Sequence, residues 1–185
     1  DWSSDVCSSD LKAEKAIARS LRDPLFQEYM SGEKQVIMTG ELFGSKWKIK
    51  MDSYHPGRAI VDLKYMQSLT KFGYVPDIGY LDFVRYWGYD LQGAIYQEIV
   101  YQNTGKRLPF YIAGISKEKA MNIEVIYIHD NYLKEAMKVI ESRMPRILQV
   151  KYHGAKPDRC EQCIWCRDTK VLTKPIGIGD LTASL

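Results

Sequence analysis

The segment from Ser45 to Asp52 alternates strictly between apolar and polar residues, and this pattern constrains the fold more than any other. Its apolar positions are Trp47, Ile49 and Met51, and between them lie Lys46, Lys48, Lys50 and Asp52. A period of two residues is typical of a β-strand with one buried and one solvated face. Strand-like runs also cover 35–39 and 58–64, and turn residues at 40–44 and 55–57 separate the three runs. The sequence therefore predicts three consecutive strands.

Apolar residues at helical spacing predict helices around these strands. Residues 12–30 predict two short helices separated at Pro24, and 82–103 predicts the strongest helix, with Asp82 as its cap. Two further strands are predicted at 109–115 and 122–128, followed by a long helix over 131–150 with Pro145 as a point for a kink. This order predicts an α/β (α+β) fold in which helices flank a mixed central β-sheet.

The composition of the 185 residues excludes several classes of protein. Apolar residues make up 45% and charged residues 26%, which excludes disordered, collagen-like and disulfide-dense chains. No apolar run is long enough to span a membrane. Residues 1–11 (DWSSDVCSSDL) resemble a translated sequencing adapter, so we expect an artefactual or disordered tail there and a missing native N-terminus. We expect residues 12–172 to form one domain and 173–185 a C-terminal tail. Without 1–11, which hold three aspartates and no lysine or arginine, the chain is more basic than its formal charge of +3.

Two aspartates and a lysine form the clearest chemical pattern. Asp52 ends one predicted strand, and Asp62 and Lys64 leave the same face of the next. Two carboxylates brought together by a hairpin repel each other unless a cation lies between them, and oxygen ligands, including the Leu63 carbonyl, suit Mg²⁺ or Mn²⁺. Lys64 would stabilise a phosphate oxyanion and orient the attacking water, as phosphodiester hydrolysis requires. Alternatively, Asp52 is a turn residue and the Asp-Leu-Lys sequence is coincidental.

Gln92 and Tyr96 lie four residues apart on the strongest predicted helix, so they share one helical face. An amide beside a phenol can hold a phosphate or order a carboxylate. The alternative is an ordinary exposed glutamine beside a half-buried tyrosine.

These stretches resemble the PD-(D/E)XK nuclease superfamily, and most closely its exonuclease VIII (RecE-like) phage branch. The resemblance covers about 33–172 and rests on residues 44–52 (GSKWKIKMD), 59–64 (AIVDLK) and 92–96 (QGAIY). It implies a restriction-endonuclease-like core in which Asp52 and Asp62 bind the catalytic metals and Lys64 activates the water. It also implies that Gln92 and Tyr96 position the scissile strand. Glu33 either orients a metal-bound water or is a surface residue of a turn.

The implied activity is Mg²⁺- or Mn²⁺-dependent exonuclease digestion of linear double-stranded DNA, 5′ to 3′, for phage recombination. The resemblance further implies a single-strand annealing protein as partner, a homo-oligomeric ring, and a phage- or prophage-encoded protein in the bacterial cytoplasm without membrane contact. Relatives carry an upstream metal-binding histidine, whereas no histidine precedes His55 here. We therefore expect a truncated chain of weak activity. The alternatives are an endonuclease, a CRISPR-adaptation-type iron–sulfur nuclease of the same fold, and a catalytically silent DNA-binding module.

Three cysteines near the C-terminus, Cys160, Cys163 and Cys166, form a C-x2-C-x2-C pattern typical of metal ligands. A tetrahedral site needs a fourth ligand, either His153 or an upstream cysteine. AddB and certain CRISPR-adaptation nucleases of the superfamily carry a four-cysteine iron–sulfur cluster, which makes zinc or such a cluster a hypothesis here. The alternative is a set of reduced thiols around a packed Trp165.

The candidate DNA-binding residues are basic and aromatic. A row of lysines leads along the predicted strand to Asp52, and Arg85 extends it, together with Lys106 and Arg107. The alternative is a solvated strand face. Aromatic residues precede Gln92 and either stack on frayed bases or pack in the core; they are Tyr80, Tyr86, Trp87 and Tyr89.

Overall fold

The computed structural model describes residues 3–75, 78–161 and 163–179, with side chains described from residue 11 onward. The helices are α1 (Ser3–Ser20), α2 (Pro24–Tyr29), α3 (Phe83–Tyr86), α4 (Tyr89–Thr104), α5 (Asp130–Tyr152) and α6 (Ile164–Asp168). The strands are β1 (Glu33–Leu42), β2 (Ser45–His55), β3 (Ala59–Met66), β4 (Gly73–Val75), β5 (Gly79–Leu81), β6 (Phe110–Ser116) and β7 (Ile123–Ile128). None of these helices combines the length and the apolar character that a membrane span requires.

The chain divides into two compact units, which meet at Pro145 and Arg146 inside α5. The first unit contains a five-stranded sheet in the order β1-β2-β3-β6-β7. Strands β3 and β6 are parallel and the other neighbours are antiparallel. The predicted mixed sheet with flanking helices is therefore confirmed. The second unit, from Arg146 on, contains α6 and the three C-terminal cysteines.

Two apolar cores cover opposite faces of the sheet in the first unit. On one face, α4 and the start of α5 pack on β1, β2 and β6 through residues such as Ile99, Leu133 and Phe110. On the other face, Ala16 of α1 and Phe26 of α2 pack against the side chains of β3, β6 and β7. The sheet is therefore buried on both faces at its centre, which is where β3 and β6 lie side by side.

The helices differ from the predicted ones at two points. Helix α1 begins at Ser3, inside the segment expected to be a tail, because helical hydrogen bonds extend readily from an existing helix. The predicted separation at Pro24 is present, and Asp23 caps α2 there by accepting from the Phe26 amide at 2.9 Å. The single helix predicted over 82–103 is wrong, because the chain breaks into α3 and α4 at Gly88, whose φ of 69° is left-handed. Asp82 does cap the first part, accepting a hydrogen bond from the Arg85 amide at 3.1 Å.

The short strands β4 and β5 were not predicted. Within the described ranges they pair with each other alone, and they contain three residues each. Three residues provide no measurable alternation, so a segment punctuated by glycine and proline indicates an irregular loop.

Candidate active site

Strand β2 changes its alternation at Asp52. Met51 and Tyr54 both pack in the core beneath α4, although they are three residues apart. Ser53 faces the other side of the sheet, where its hydroxyl donates to the Tyr29 carbonyl at 2.9 Å. A strict period of two cannot place Met51 and Tyr54 on one face, so the strand is distorted at the carboxylate.

Gln35 lies across from this distortion, on β1. It falls between the pairs Lys34–Ser53 and Val36–Met51, and its φ of 55° lies in the left-handed region, which is uncommon for a residue with a side chain. Its Nε2 donates a hydrogen bond to Asp52 Oδ1 at 2.8 Å. Local strain therefore accompanies the positioning of Asp52, as is frequent at functional sites.

Strand β3 brings its two charged side chains to the face of the sheet that α4 covers. Residues 59–61 (Ala-Ile-Val) are buried, and Asp62 follows them with 4% of its surface exposed. The Leu63 amide, next to Asp62, donates to Asp52 Oδ2 at 2.9 Å. The backbone of β3 thus meets the Asp52 carboxylate directly, and the predicted approach of the two aspartates agrees with this contact.

Gln92 of α4 holds the other two groups. Its Nε2 donates to Asp62 Oδ1 at 2.6 Å, and its Oε1 accepts from Lys64 Nζ at 2.9 Å. Lys64 Nζ also lies 2.6 Å from Asp62 Oδ2 as an ion pair, and 4.4 Å from the centre of the Tyr89 ring. One amide therefore fixes both the carboxylate and the ammonium, while Asp62 and Lys64 neutralise each other.

Burial is the largest influence on Asp62. Desolvation raises the pKa of the Asp62 carboxyl, and the negative charge of Asp52 adds to this rise. The hydrogen bonds from Lys64 and Gln92 and the positive charge of Lys64 lower the pKa and so oppose the rise. The buried Oδ2 lies 2.6 Å from the Lys64 ammonium, and no further donor among the described residues reaches it. A buried carboxylate oxygen with a free acceptor position, beside a second carboxylate, fits a hard divalent cation.

Three other residues of the predicted site make contacts that differ from the predicted ones. The Tyr96 hydroxyl donates to the Lys50 carbonyl at 3.0 Å and its ring packs on Phe110, so these contacts attach α4 to the sheet rather than to the aspartates. Glu33 begins β1 across from Tyr54 and is exposed. Leu63 contacts the site through its amide, whereas the prediction concerned its carbonyl.

The predicted basic row is not brought to the carboxylate cluster. Since Trp47 and Met51 pack beneath α4, the exposed side chains of Lys46, Lys48 and Lys50 point to the opposite face of β2. The change of alternation at Asp52 separates the lysines from the face that carries Asp62. Arg85 is paired with Asp82 through its Nε at 2.6 Å and lies over the Tyr132 ring. The role of these four residues in DNA binding stays a prediction.

Sequence reasoning missed Gln35, and it named Tyr89 as a stacking or core residue without its contact with Lys64. Tyr89 had a usable signal, because Tyr89, Gln92 and Tyr96 recur at helical spacing on α4. Gln35 had none in its own strand, since its position follows from the register between β1 and β2.

The second unit brings the three cysteines together. The sulfur atoms of Cys160, Cys163 and Cys166 all lie within 4.8 Å of one another, and no His, Asp or Glu of the described residues belongs to the group. His153 is therefore not the fourth ligand in this arrangement. The Cys163 amide donates to Cys160 Sγ at 3.3 Å and the Cys166 amide to Cys163 Sγ at 3.4 Å. Cys7 lies outside the described side chains. Convergent sulfurs with amide donors fit a thiolate-bound metal.

Comparisons with known proteins agree with this arrangement. A family model described as a PDDEXK-like domain of unknown function (DUF3799) matches residues 7–169. A crystal structure from Eubacterium rectale, of a protein named "Putative exonuclease", is similar with a TM-score of 0.87 and 64% sequence identity. The match covers 94% of this chain and 65% of that one, so the chain spans about two thirds of its length. A search of curated proteins finds no match. The restriction-endonuclease-like fold and the resemblance to the PD-(D/E)XK superfamily are confirmed, and the chain belongs to the PDDEXK-like family DUF3799.

Proposed function

We propose that this protein is a metal-dependent nuclease whose active site consists of Asp52, Asp62, Lys64 and Gln92. The observation that carries the proposal is the buried carboxylate of Asp62, which Gln92 and Lys64 hold in place and which feels the negative charge of Asp52. Asp62 and Lys64 form a neutral pair, whereas Asp52 adds a negative charge that repels the Asp62 carboxylate. A divalent cation held by the two carboxylates would offset this repulsion.

Asp52 and Asp62 would hold Mg²⁺ or Mn²⁺, with the Leu63 carbonyl as a further oxygen. When bound, the cation lowers the pKa of a coordinated water and offsets charge on the phosphate. Gln35 and the Leu63 amide orient Asp52, and Gln92 orients Asp62. Lys64, held by Gln92 and the Tyr89 ring, has N–H groups to orient water or contact a phosphate oxygen. We assign Tyr96 to anchoring the helix that carries Gln92, and Glu33 to the rim of the site.

We propose linear double-stranded DNA as the substrate, digested from its ends in the 5′-to-3′ direction. Support comes from the name of the Eubacterium rectale protein and from the resemblance to the exonuclease VIII branch. The same resemblance supports a single-strand annealing partner, a ring-shaped oligomer and a phage- or prophage-encoded protein in the bacterial cytoplasm. The net basic charge is compatible with a nucleic-acid partner.

The three-cysteine group favours a second candidate, an iron–sulfur nuclease of the CRISPR-adaptation type. Its three convergent sulfurs are one ligand short of a tetrahedral set, and with a fourth ligand they would hold zinc or an iron–sulfur cluster. This candidate shares the carboxylate site and differs in its DNA substrate, which it need not enter from an end.

Digestion of linear and covalently closed circular duplex in Mg²⁺ tests these proposals. We expect the wild type to degrade linear DNA and spare the circle, and Asp62→Ala and Lys64→Ala to lose at least 100-fold in rate, the order associated with losing a transition-state contact. Lys138→Ala is the matched control, because Lys138 is an exposed lysine whose ion pair is with Glu135 of its own helix. Undiminished digestion by either site variant would contradict the assigned site. Cleavage of the circle favours the endonuclease alternative, and binding without digestion favours the catalytically silent module.

A further inference from the structure

A second concave surface adjoins the carboxylate site. At the C-terminal end of β3, immediately beyond Lys64, lies a cleft of about 430 Å³. This volume lies within the usual range of ligand pockets. We call it the aromatic cleft. Its rings are those of Tyr65, Phe72, Phe83, Tyr86, Trp87 and Tyr89.

Several of these rings are exposed although they are large and apolar. Phe72 is 65% exposed and Trp87 61%, and they come from the loop before β4 and from the end of α3. The Tyr86 and Trp87 rings meet edge to face at 5.2 Å. Gly73 lies under Tyr86 so closely that a Cβ there would come within 2.1 Å of the ring. Gly73 therefore allows Tyr86 to pack closely on the backbone, while Phe72 and Trp87 are exposed to solvent. Clusters of exposed apolar side chains mark interaction sites.

The charged residues that line the aromatic cleft, within the described part of the chain, are both basic. They are Lys71 and Lys117. The Lys117 amide donates to the Met66 carbonyl at 2.7 Å, and its Nζ lies 5.0 Å from the centre of the Tyr65 ring. Exposed rings combined with lysines match the chemistry of a nucleic-acid strand, which presents stackable bases and anionic phosphates.

Tyr89 connects the aromatic cleft to the proposed active site. Its ring lines the cleft and also contacts the Lys64 ammonium at 4.4 Å from the ring centre. Bases in the cleft would therefore belong to nucleotides next to the phosphate at Lys64. A double helix keeps its bases stacked inside, so only an unpaired segment can present them to these rings.

We propose that the aromatic cleft binds unpaired nucleotides of the scissile DNA strand, with its rings stacking on the bases and Lys71 and Lys117 contacting the phosphates. This inference rests on the proposed nuclease function, which places the phosphate next to the bound bases at Lys64. It predicts that the protein prefers frayed or single-stranded DNA ends over blunt ends. The alternative occupant, an apolar protein segment, is an outcome of the test below.

Binding is measured without hydrolysis, using a single-stranded oligonucleotide with terminal 2-aminopurine and Ca²⁺ in place of Mg²⁺. Stacking quenches 2-aminopurine, so the wild type should quench it and bind it more tightly than a blunt duplex. Trp87→Ala and Phe72→Ala should each weaken binding roughly tenfold, in line with base–aromatic stacking. The control is Tyr101→Ala, because Tyr101 is an exposed ring that contacts Arg107 and does not line the cleft. Circular dichroism verifies folding, and Phe72 lies outside every helix and strand.

Equal affinity of wild type, Trp87→Ala and Phe72→Ala would overturn the proposal and leave the cleft to a protein segment. Lys71→Ala and Lys117→Ala should each lower the salt dependence of binding by about one unit of slope. Failure of the nuclease proposal looks different: the quenching and its loss in Trp87→Ala persist, whereas no Mg²⁺-dependent digestion occurs.

Discussion

Gln92 joins helix α4 to strand β3 through a hydrogen bond of 2.6 Å from its Nε2 to Asp62 Oδ1. The other end of the same amide accepts from Lys64 Nζ, so the donor and acceptor ends are both occupied by charged groups. A glutamine is suited to this position because its side chain offers donors and an acceptor at once. The cluster is thus assembled from a strand and a helix that are distant in sequence.

Gln92→Ala should lower kcat for DNA digestion by roughly 10- to 100-fold, the order of losing a positioned hydrogen bond in a site. The hydrogen bond from Gln92 lowers the pKa of Asp62, so its removal should move the acid limb of the pH–rate profile to higher pH. A merely structural role would not shift the profile. The control is Gln102→Ala, on the same helix, whose amide bonds the Glu41 backbone. An unshifted profile would remove Gln92 from the site.

The sequence predicts the elements that contain the site better than it predicts their contacts. Alternation over Ser45–Met51 and the apolar run before Asp62 are local patterns, so β2, β3 and the two aspartates follow from them. The lysine row shows the limit of this reasoning. A strict period of two predicts that Lys50 and Asp52 share a face, and the distortion opposite Gln35 depends on a neighbouring strand instead.

The break between α3 and α4 at Gly88 also depends on contacts that the local sequence pattern does not contain. A helical pattern continues across 82–103, but the left-handed Gly88 redirects the chain, so that α3 contributes rings to the aromatic cleft and α4 covers the sheet. Glycine permits such a turn without requiring it, so the break depends on packing rather than on the pattern.

Asp62→Asn should stabilise the metal-free protein at neutral pH. Burial raises the pKa of Asp62 above its ordinary value, so the folded state holds this proton more tightly than the unfolded state does. The resulting stability is present at acidic pH and is lost as the pH rises through the raised pKa. In EDTA we expect Tm to rise by a few degrees, which corresponds to about 1 kcal/mol in the free energy of unfolding. This gain should shrink toward pH 4.

Asp158→Asn is the control of opposite sign, because a hydrogen bond from Arg146 lowers the pKa of Asp158. Its neutralisation should not raise Tm. Added Mg²⁺ should raise the Tm of the wild type and leave that of Asp62→Asn unchanged. A lower Tm for Asp62→Asn in EDTA at pH 7 would show that the carboxylate is structural.

Gly93→Ala should destabilise the first unit and impair the site together. A Cβ at position 93 would lie 2.7 Å from Phe110 Cδ1 and 3.0 Å from Leu133 Cδ2, and both side chains are buried. Overpacking of this kind costs about 1–3 kcal/mol, partly offset by the higher helix propensity of alanine. Because Gly93 follows Gln92, displacement of α4 should also lengthen the Gln92–Asp62 contact. Urea unfolding and digestion rates measure the two effects, and an unchanged midpoint would contradict the close packing of α4.

The three-cysteine group should bind metal when the protein is produced with iron or zinc under reducing conditions. Three sulfurs within 4.8 Å of one another provide most of a tetrahedral set, and thiolates favour zinc and iron–sulfur clusters. Elemental analysis should give near-stoichiometric zinc, or iron with a visible absorption band, and Cys163→Ala should lose it. Cys7→Ala is measured in parallel, and loss of metal in that variant would identify Cys7 as the fourth ligand. A protein without bound metal after both preparations would favour the alternative of reduced thiols beside Trp165.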